Sequence, residues 1–212
     1  MEVHYFQGAK HAQFDDFQPE YIPVFRNIQH RFAGYVLDFC YHNCEVPLCF
    51  MTQCEASILE SCVELRLSSS DFMIAEGVEY RKLLRVTEEN YARFASLHDR
   101  VSAHMFWTSE RITTRFPSWY IAMLAHGEGY VLMNMASDVA EIYALVASSE
   151  QDRLNLLSAA AQHAFAMGKG EILFMVDEDA MDQARDACAV GYRECGKYIA
   201  YRVEHPITFA TP

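Results

Sequence analysis

No stretch of this 212-residue chain reaches the roughly 18 uninterrupted apolar residues that a membrane-crossing helix needs. Basic residues are outnumbered: 17 Lys and Arg against 29 Asp and Glu leave a formal net charge of −12, with no local basic patch to offset it. Repulsion from phosphates therefore disfavours a nucleic-acid surface. The opening residues Met1-Glu2-Val3-His4-Tyr5 lack the basic flank and apolar core of a signal segment. A cytoplasmic protein is expected, with neither nucleic acid nor membrane among its partners. Its seven cysteines include no C-x-x-C pair, although Cys40, Cys44, Cys49, Cys54 and Cys62 crowd one region beside His42. That spacing reads as reduced, mostly buried thiols, and no metal centre is expected. No internal repeat or low-complexity tract is evident.

About half the residues are apolar, 51%, so the chain can bury a sizeable core as one large domain or two small ones. A turn at Glu76-Gly77 suggests a first segment over 1–76 and a second over 77–212. In the first, Pro19 can open a helix whose residues Ile22, Phe25, Ile28, Phe32 and Val36 recur at helical spacing. Val63, Leu65 and Leu67 alternate with polar neighbours as a half-buried strand does, and Phe72-Met73-Ile74-Ala75 reads as another. This segment is α/β and carries no assignable motif.

The second segment is more regular. Tyr80 to Val86 reads as a strand, Thr87 as the cap of a helix with Tyr91, Phe94 and Val101 on one side, and Ala103 to Thr113 as a further helix. Trp119 to Ala125 and Tyr130 to Met135 form a hairpin through the turn His126-Gly127-Glu128-Gly129. Ile142 to Val146 and Ile172 to Val176 are continuous apolar runs, as strands covered on both faces are. Between them Leu154, Leu157, Ala161, Ala164 and Phe165 make one helical stripe ending at Gly168, which predicts a right-handed parallel crossover. Asp179 to Val190 reads as a helix stopped by Gly191, and Tyr198 to Val203 as a closing strand. A helix that starts directly after a buried strand presents unpaired N–H groups and a positive dipole end, suited to phosphates.

Two helices, a hairpin, a strand-helix-strand crossover, a helix and a final strand, with Ala140-Glu141-Ile142 on the central strand, Gln151 and Arg153 after it, and the Gly191-Tyr192 pair, resemble the GNAT superfamily of acyl-CoA-dependent N-acetyltransferases. The resemblance covers about Tyr80 to Val203. It implies an α/β (α+β) fold with a mixed, mostly antiparallel sheet around a parallel crossover, preceded by the α/β N-terminal segment. It also implies acetyl-CoA as co-substrate and a small-molecule or peptide amine as acceptor. By resemblance, Glu141 is the general base, and backbone N–H groups near Leu145 and Val146 stabilise the oxyanion. Gln151, Asp152 and Arg153 open the loop that holds the cofactor pyrophosphate. The family's glycines in that loop are replaced here by Leu154 and Leu156. Its frequent acid tyrosine falls at Ala187 and its pantetheine-binding asparagine at Ala180, leaving Tyr143, Tyr192 and Tyr198 as alternative acids.

Three readings of function stay open at this level. The first is an acetyl-CoA-dependent N-acetyltransferase. The second is a catalytically degenerate GNAT-like domain serving as a ligand-binding or interaction module, with Ser149 and Asp152 forming an ordinary helix cap. The third is an acyltransferase whose cysteine-rich N-terminal segment forms part of the donor pocket. That segment can equally be a lid, an interface or a decayed second copy of the fold. The apolar content would permit a homodimer. His104, Phe106, Trp107 and Glu110 lie where the family lines its acceptor pocket, and their spacing also suits a core. His126 and His163 have no ligand partner at metal spacing and are left unassigned.

Overall fold

The computed structural model describes residues 2–6, 11–18, 33–101 and 107–204. Contacts divide the chain into Met1–Val63 with Gly196–Pro212, and Glu64–Cys195. In the first unit β1 (Glu2–Phe6) and β2 (His11–Asp15) are antiparallel, and β2 runs parallel to β3 (Val36–His42). Helix α1 (Leu48–Gln53) and the start of β4 (Ser57–Ser68) follow, and the closing strand β10 (Arg193–Val203) lies antiparallel beside β3. The order in this unit is β1-β2-β3-β10-β4. Its core is aromatic: Phe14 stacks on Phe39 at 5.2 Å, and Phe17 contacts Phe39 at 5.4 Å and Phe50 at 4.9 Å. Arg202 meets Asp38, its opposite number in the register, through two 2.8 Å hydrogen bonds.

The second unit contains β5 (Leu83–Arg85), α2 (Tyr91–Val101), α3 (Ser109–Thr113), β6 (Trp119–Leu124), β7 (Tyr130–Asn134), β8 (Val139–Val146), α4 (Glu150–Ala166), β9 (Glu171–Asp177) and α5 (Met181–Val190). With the neighbouring parts of β4 and β10 its strand order is β10-β4-β9-β8-β7-β6-β5. Strands β5 to β8 are successively antiparallel, and β8 and β9 are the predicted parallel pair joined by α4. One face is filled by Phe94, Leu97, Ile112, Ile121, Met123, Tyr130 and Leu132. Gly191 ends α5 at φ 110°, and a Cβ there would sit 2.1 Å from the Asp71 carbonyl oxygen, so only glycine fits. An antiparallel pair, a parallel step and then a helix occur in both units, as β1-β2-β3-α1 and β7-β8-β9-α5.

Several expected elements differ. The helix expected from Pro19 to Phe32 lies outside the described residues, and Val36 is the first residue of β3. Phe72 to Ala75 forms no strand; the Met73 N–H bonds the Val190 carbonyl and Phe72 packs on Phe165, while Met73 and Ile74 are exposed. Tyr80–Lys82 is a 3₁₀ turn that shortens the following strand, closed by the Lys82 N–H on the Glu79 carbonyl and flanked by Glu79 ion pairs to Arg81 and Lys82 at 2.8 Å. Helix α2 starts at Tyr91, after Asn90 Oδ1 has accepted the Thr87 N–H and Asn90 Nδ2 has bonded the Arg85 carbonyl. Residues 103–106 of the next expected helix are not described, and α3 begins at Ser109 under a Thr108 cap.

Helix α4 is buried around most of its circumference, including Leu154, Leu156, Leu157, Ala160, Ala161 and Ala164. Such a helix draws its stability from packing more than from propensity. Leu156→Gly is expected to cost about 4 kcal/mol in urea unfolding, from the cavity and the added backbone freedom. A loss below about 1 kcal/mol would show that Leu156 does not sit in a packed helix.

Candidate functional site

Strands β8 and β9 pair only from Val139↔Glu171 to Ile142↔Phe174, although they continue to Val146 and Asp177. At the same height the β7 register jumps: Leu132 faces Ala144 while Met133 faces Ile142, leaving Tyr143 as an extra residue. A bulged strand bends and twists away from its ladder. The two parallel strands therefore fork directly after Ile142, and Tyr143–Val146 lie outside the β8–β9 ladder. The bulge also reverses the alternation of side chains. Glu141 and Tyr143 face α2 along with Ala144 and Val146, whereas Leu145, paired with Val131, turns to the other face. On an unbulged strand Glu141, Tyr143 and Leu145 would share one face, and the bulge moves Leu145 to the other.

Glu141 is half-buried and lies in one cross-sheet row with Asn134 and Trp119. Tyr143 has Glu141, Trp107 and Asn134 as its polar neighbours. Burial, and then the neighbouring Glu141 charge, push the Tyr143 phenol well above its ordinary range, so it stays protonated. Trp107, Trp119 and Tyr143 meet edge to face, with centroids 5.1 Å (Trp107–Trp119), 5.4 Å (Trp119–Tyr143) and 6.2 Å (Trp107–Tyr143) apart. The Trp119 indole N–H is buried without a partner among the described residues. Asn134 was not anticipated; its signal is that it is the one amide in the apolar run Tyr130 to Met135 that ends opposite Ala140-Glu141-Ile142.

Buried His98 holds this wall in place. One ring nitrogen is 2.6 Å from the Trp107 carbonyl oxygen and the other 2.8 Å from the Tyr130 hydroxyl. A carbonyl only accepts, so Nε2 carries the hydrogen and Nδ1 accepts from Tyr130. This arrangement satisfies the neutral ring.

The first turn of α4 is engaged internally. Ser149 Oγ accepts the Asp152 N–H at 3.1 Å and bonds the Asp152 carboxylate at 2.6 Å. Gln151 Nε2 donates to the Gly77 carbonyl at 3.0 Å. Arg153 is buried against Asp186 at 2.6 Å and Asp182 at 3.0 Å. Leu154 and Leu156 are interior helix residues. Of the predicted site residues, Glu141, Leu145 and Val146 lie at or beside the fork, and Gln151, Asp152 and Arg153 on the first turn of α4. Of the alternative acids Tyr143 is the one beside Glu141. Tyr192 is buried against Phe174, its hydroxyl without a partner among the described residues, and the Tyr198 hydroxyl donates to Cys40 Sγ at 3.1 Å in the first unit.

No protein-family model and no curated protein matches the chain in sequence. Solved structures do match in fold. A GCN5-related N-acetyltransferase from Sphaerobacter thermophilus superposes with a TM-score of 0.65 at 13% identity, over 95% of this chain and 75% of that one. One from Kribbella flavida gives 0.63 at 15%, over 92% and 81%. The chain has a GNAT fold. A tandem GNAT protein from the clavulanic acid biosynthesis pathway also matches, with a TM-score of 0.59 at 12% identity over 92% of this chain and 75% of that one. Within this fold, Tyr143–Val146 lie beyond the paired part of β8 and β9. The first turn of α4 does not fit a pyrophosphate, because its side chains are acidic or already bonded.

Burial lowers the pKa of His98, against weaker opposing effects of the Trp107 carbonyl and Asp99. A neutral buried histidine contributes stability that is present above its unfolded pKa of about 6.5 and is lost as the pH falls towards the folded value. Thermal stability should therefore drop between about pH 7 and pH 5, and His98→Gln should flatten that part of the profile. An unchanged slope in the variant would remove His98 as its source.

Proposed function

We propose that this chain is an N-acyltransferase that moves an acyl group, acetyl in the first instance, from a thioester of the acetyl-CoA kind to an amine of a small molecule or peptide. The observation that carries the reading is the fork, which opens one residue beyond Glu141. Main-chain donors on Tyr143–Val146 would hold the donor arm as an added strand holds a sheet edge, with N–H groups near Leu145 and Val146 facing the oxygen that becomes negative. Glu141 takes the proton of the attacking amine. A C–N bond forms, the C–S bond breaks, and the departing sulfur takes the Tyr143 proton, which the protonated Glu141 beside it then replaces. The π faces of the partly exposed Trp107 and Tyr143 beside a carboxylate suit an ammonium group in the approach to the fork. All seven cysteines are free thiols, which agrees with work in the reducing cytoplasm.

Glu141→Gln keeps the shape of the side chain and removes the base. Acylated product, measured by mass spectrometry over a panel of primary amines, should fall at least about 100-fold while affinity for the thioester stays within about twofold. Turnover within a few-fold of the unmodified protein would exclude Glu141 as the base.

A further inference from the structure

We infer that the acyl donor is recognised through its thioester and an uncharged pantetheine-like arm alone, and that α4 leaves any nucleotide pyrophosphate in solvent. The inference rests on the proposed acyl transfer and follows from what occupies the start of α4. A phosphate seat at a helix N-terminus needs free N–H groups, backbone that the anion can approach, and no competing negative charge. Here the Asp152 N–H is taken by Ser149 Oγ, which leaves the N–H groups of Glu150 and Gln151 as the donors of the first turn. Glu150 and Asp152 put two carboxylates in the first turn.

Cations do not compensate. Arg153, the nearest one along the helix, is 7% exposed and held by Asp186 and Asp182, with its third contact at the Ala147 carbonyl. Turning it outward would leave Asp186, itself 2% exposed, with one exposed cation, Arg185. Removing one partner from a buried pair is strongly unfavourable. Close approach of a diphosphate is also blocked from the side of the loop. Gln151 is packed on Gly77, where its Oε1 lies 3.2 Å from the place of a Cβ, and Asn155 Oδ1 holds the Glu79 N–H at 2.8 Å. The segment from Gly77 to Glu79 is therefore fastened to the first turns of α4. The fork has none of these obstacles, since the main chain of Tyr143–Val146 lies outside the β8–β9 ladder.

The test is calorimetric titration of the full chain with S-acetylpantetheine, acetyl-CoA and adenosine 3′,5′-bisphosphate at low and high salt. The two thioesters should bind with dissociation constants within about threefold of each other. The bisphosphate should neither bind nor compete, and acetyl-CoA affinity should change less than about twofold from low to high salt. Acetyl-CoA binding ten or more times tighter than S-acetylpantetheine, with competition by the bisphosphate, would overturn the inference and leave the acyl-transfer reading standing. Binding of neither thioester would overturn both.

Discussion

A parallel strand pair can separate only where something relieves the loss of its ladder, because each unpaired N–H and carbonyl costs free energy unless water or a ligand satisfies it. In this protein the separation begins at Ile142↔Phe174, where the bulge at Tyr143 turns β8 away from β9. The rest of the site depends on that one irregularity. It frees the edge from Tyr143 to Val146, keeps Glu141 and Tyr143 on the same face, and sends Leu145 to the other. A regular strand would have paired throughout and left no opening beside the carboxylate.

The two sides of the fork are supported differently. Towards α2 the wall is polar and aromatic, with His98 fixing Trp107 from behind and Asn134 opposite Glu141 in the register. The other support is α4, whose buried leucines and Arg153–Asp186 pair make it a structural element from its first turn. A glycine-rich phosphate loop needs freedom that such packing removes. Leu154 and Leu156 belong to that packing.

Much of the second unit was legible in sequence because its signals are local. The hairpin turn at Gly127 and Gly129, the apolar runs of β8 and β9 and the stop at Gly191 each follow from residues close together in the chain. The Ser149–Asp152 cap was likewise readable from a three-residue spacing. The bulge was not, since it depends on how Leu132 and Met133 register against β8, and no residue in Ala140 to Val146 marks it. Tyr80–Lys82 lost its strand to a turn closed on the Glu79 carbonyl and Phe72 to Ala75 had no ladder to join, both outcomes set by partners and not by propensity. Pairing of β10 with β3 links residues more than 150 apart, which no local pattern encodes.

The account turns on whether the free edge of β8 receives the donor. Amide hydrogen exchange read residue by residue, with and without S-acetylpantetheine, addresses that edge directly. Added protection confined to Tyr143–Val146, with Ala140–Ile142 unchanged because they are already paired, is the predicted result. Protection that appears elsewhere in the chain while Tyr143–Val146 exchange as before would contradict it.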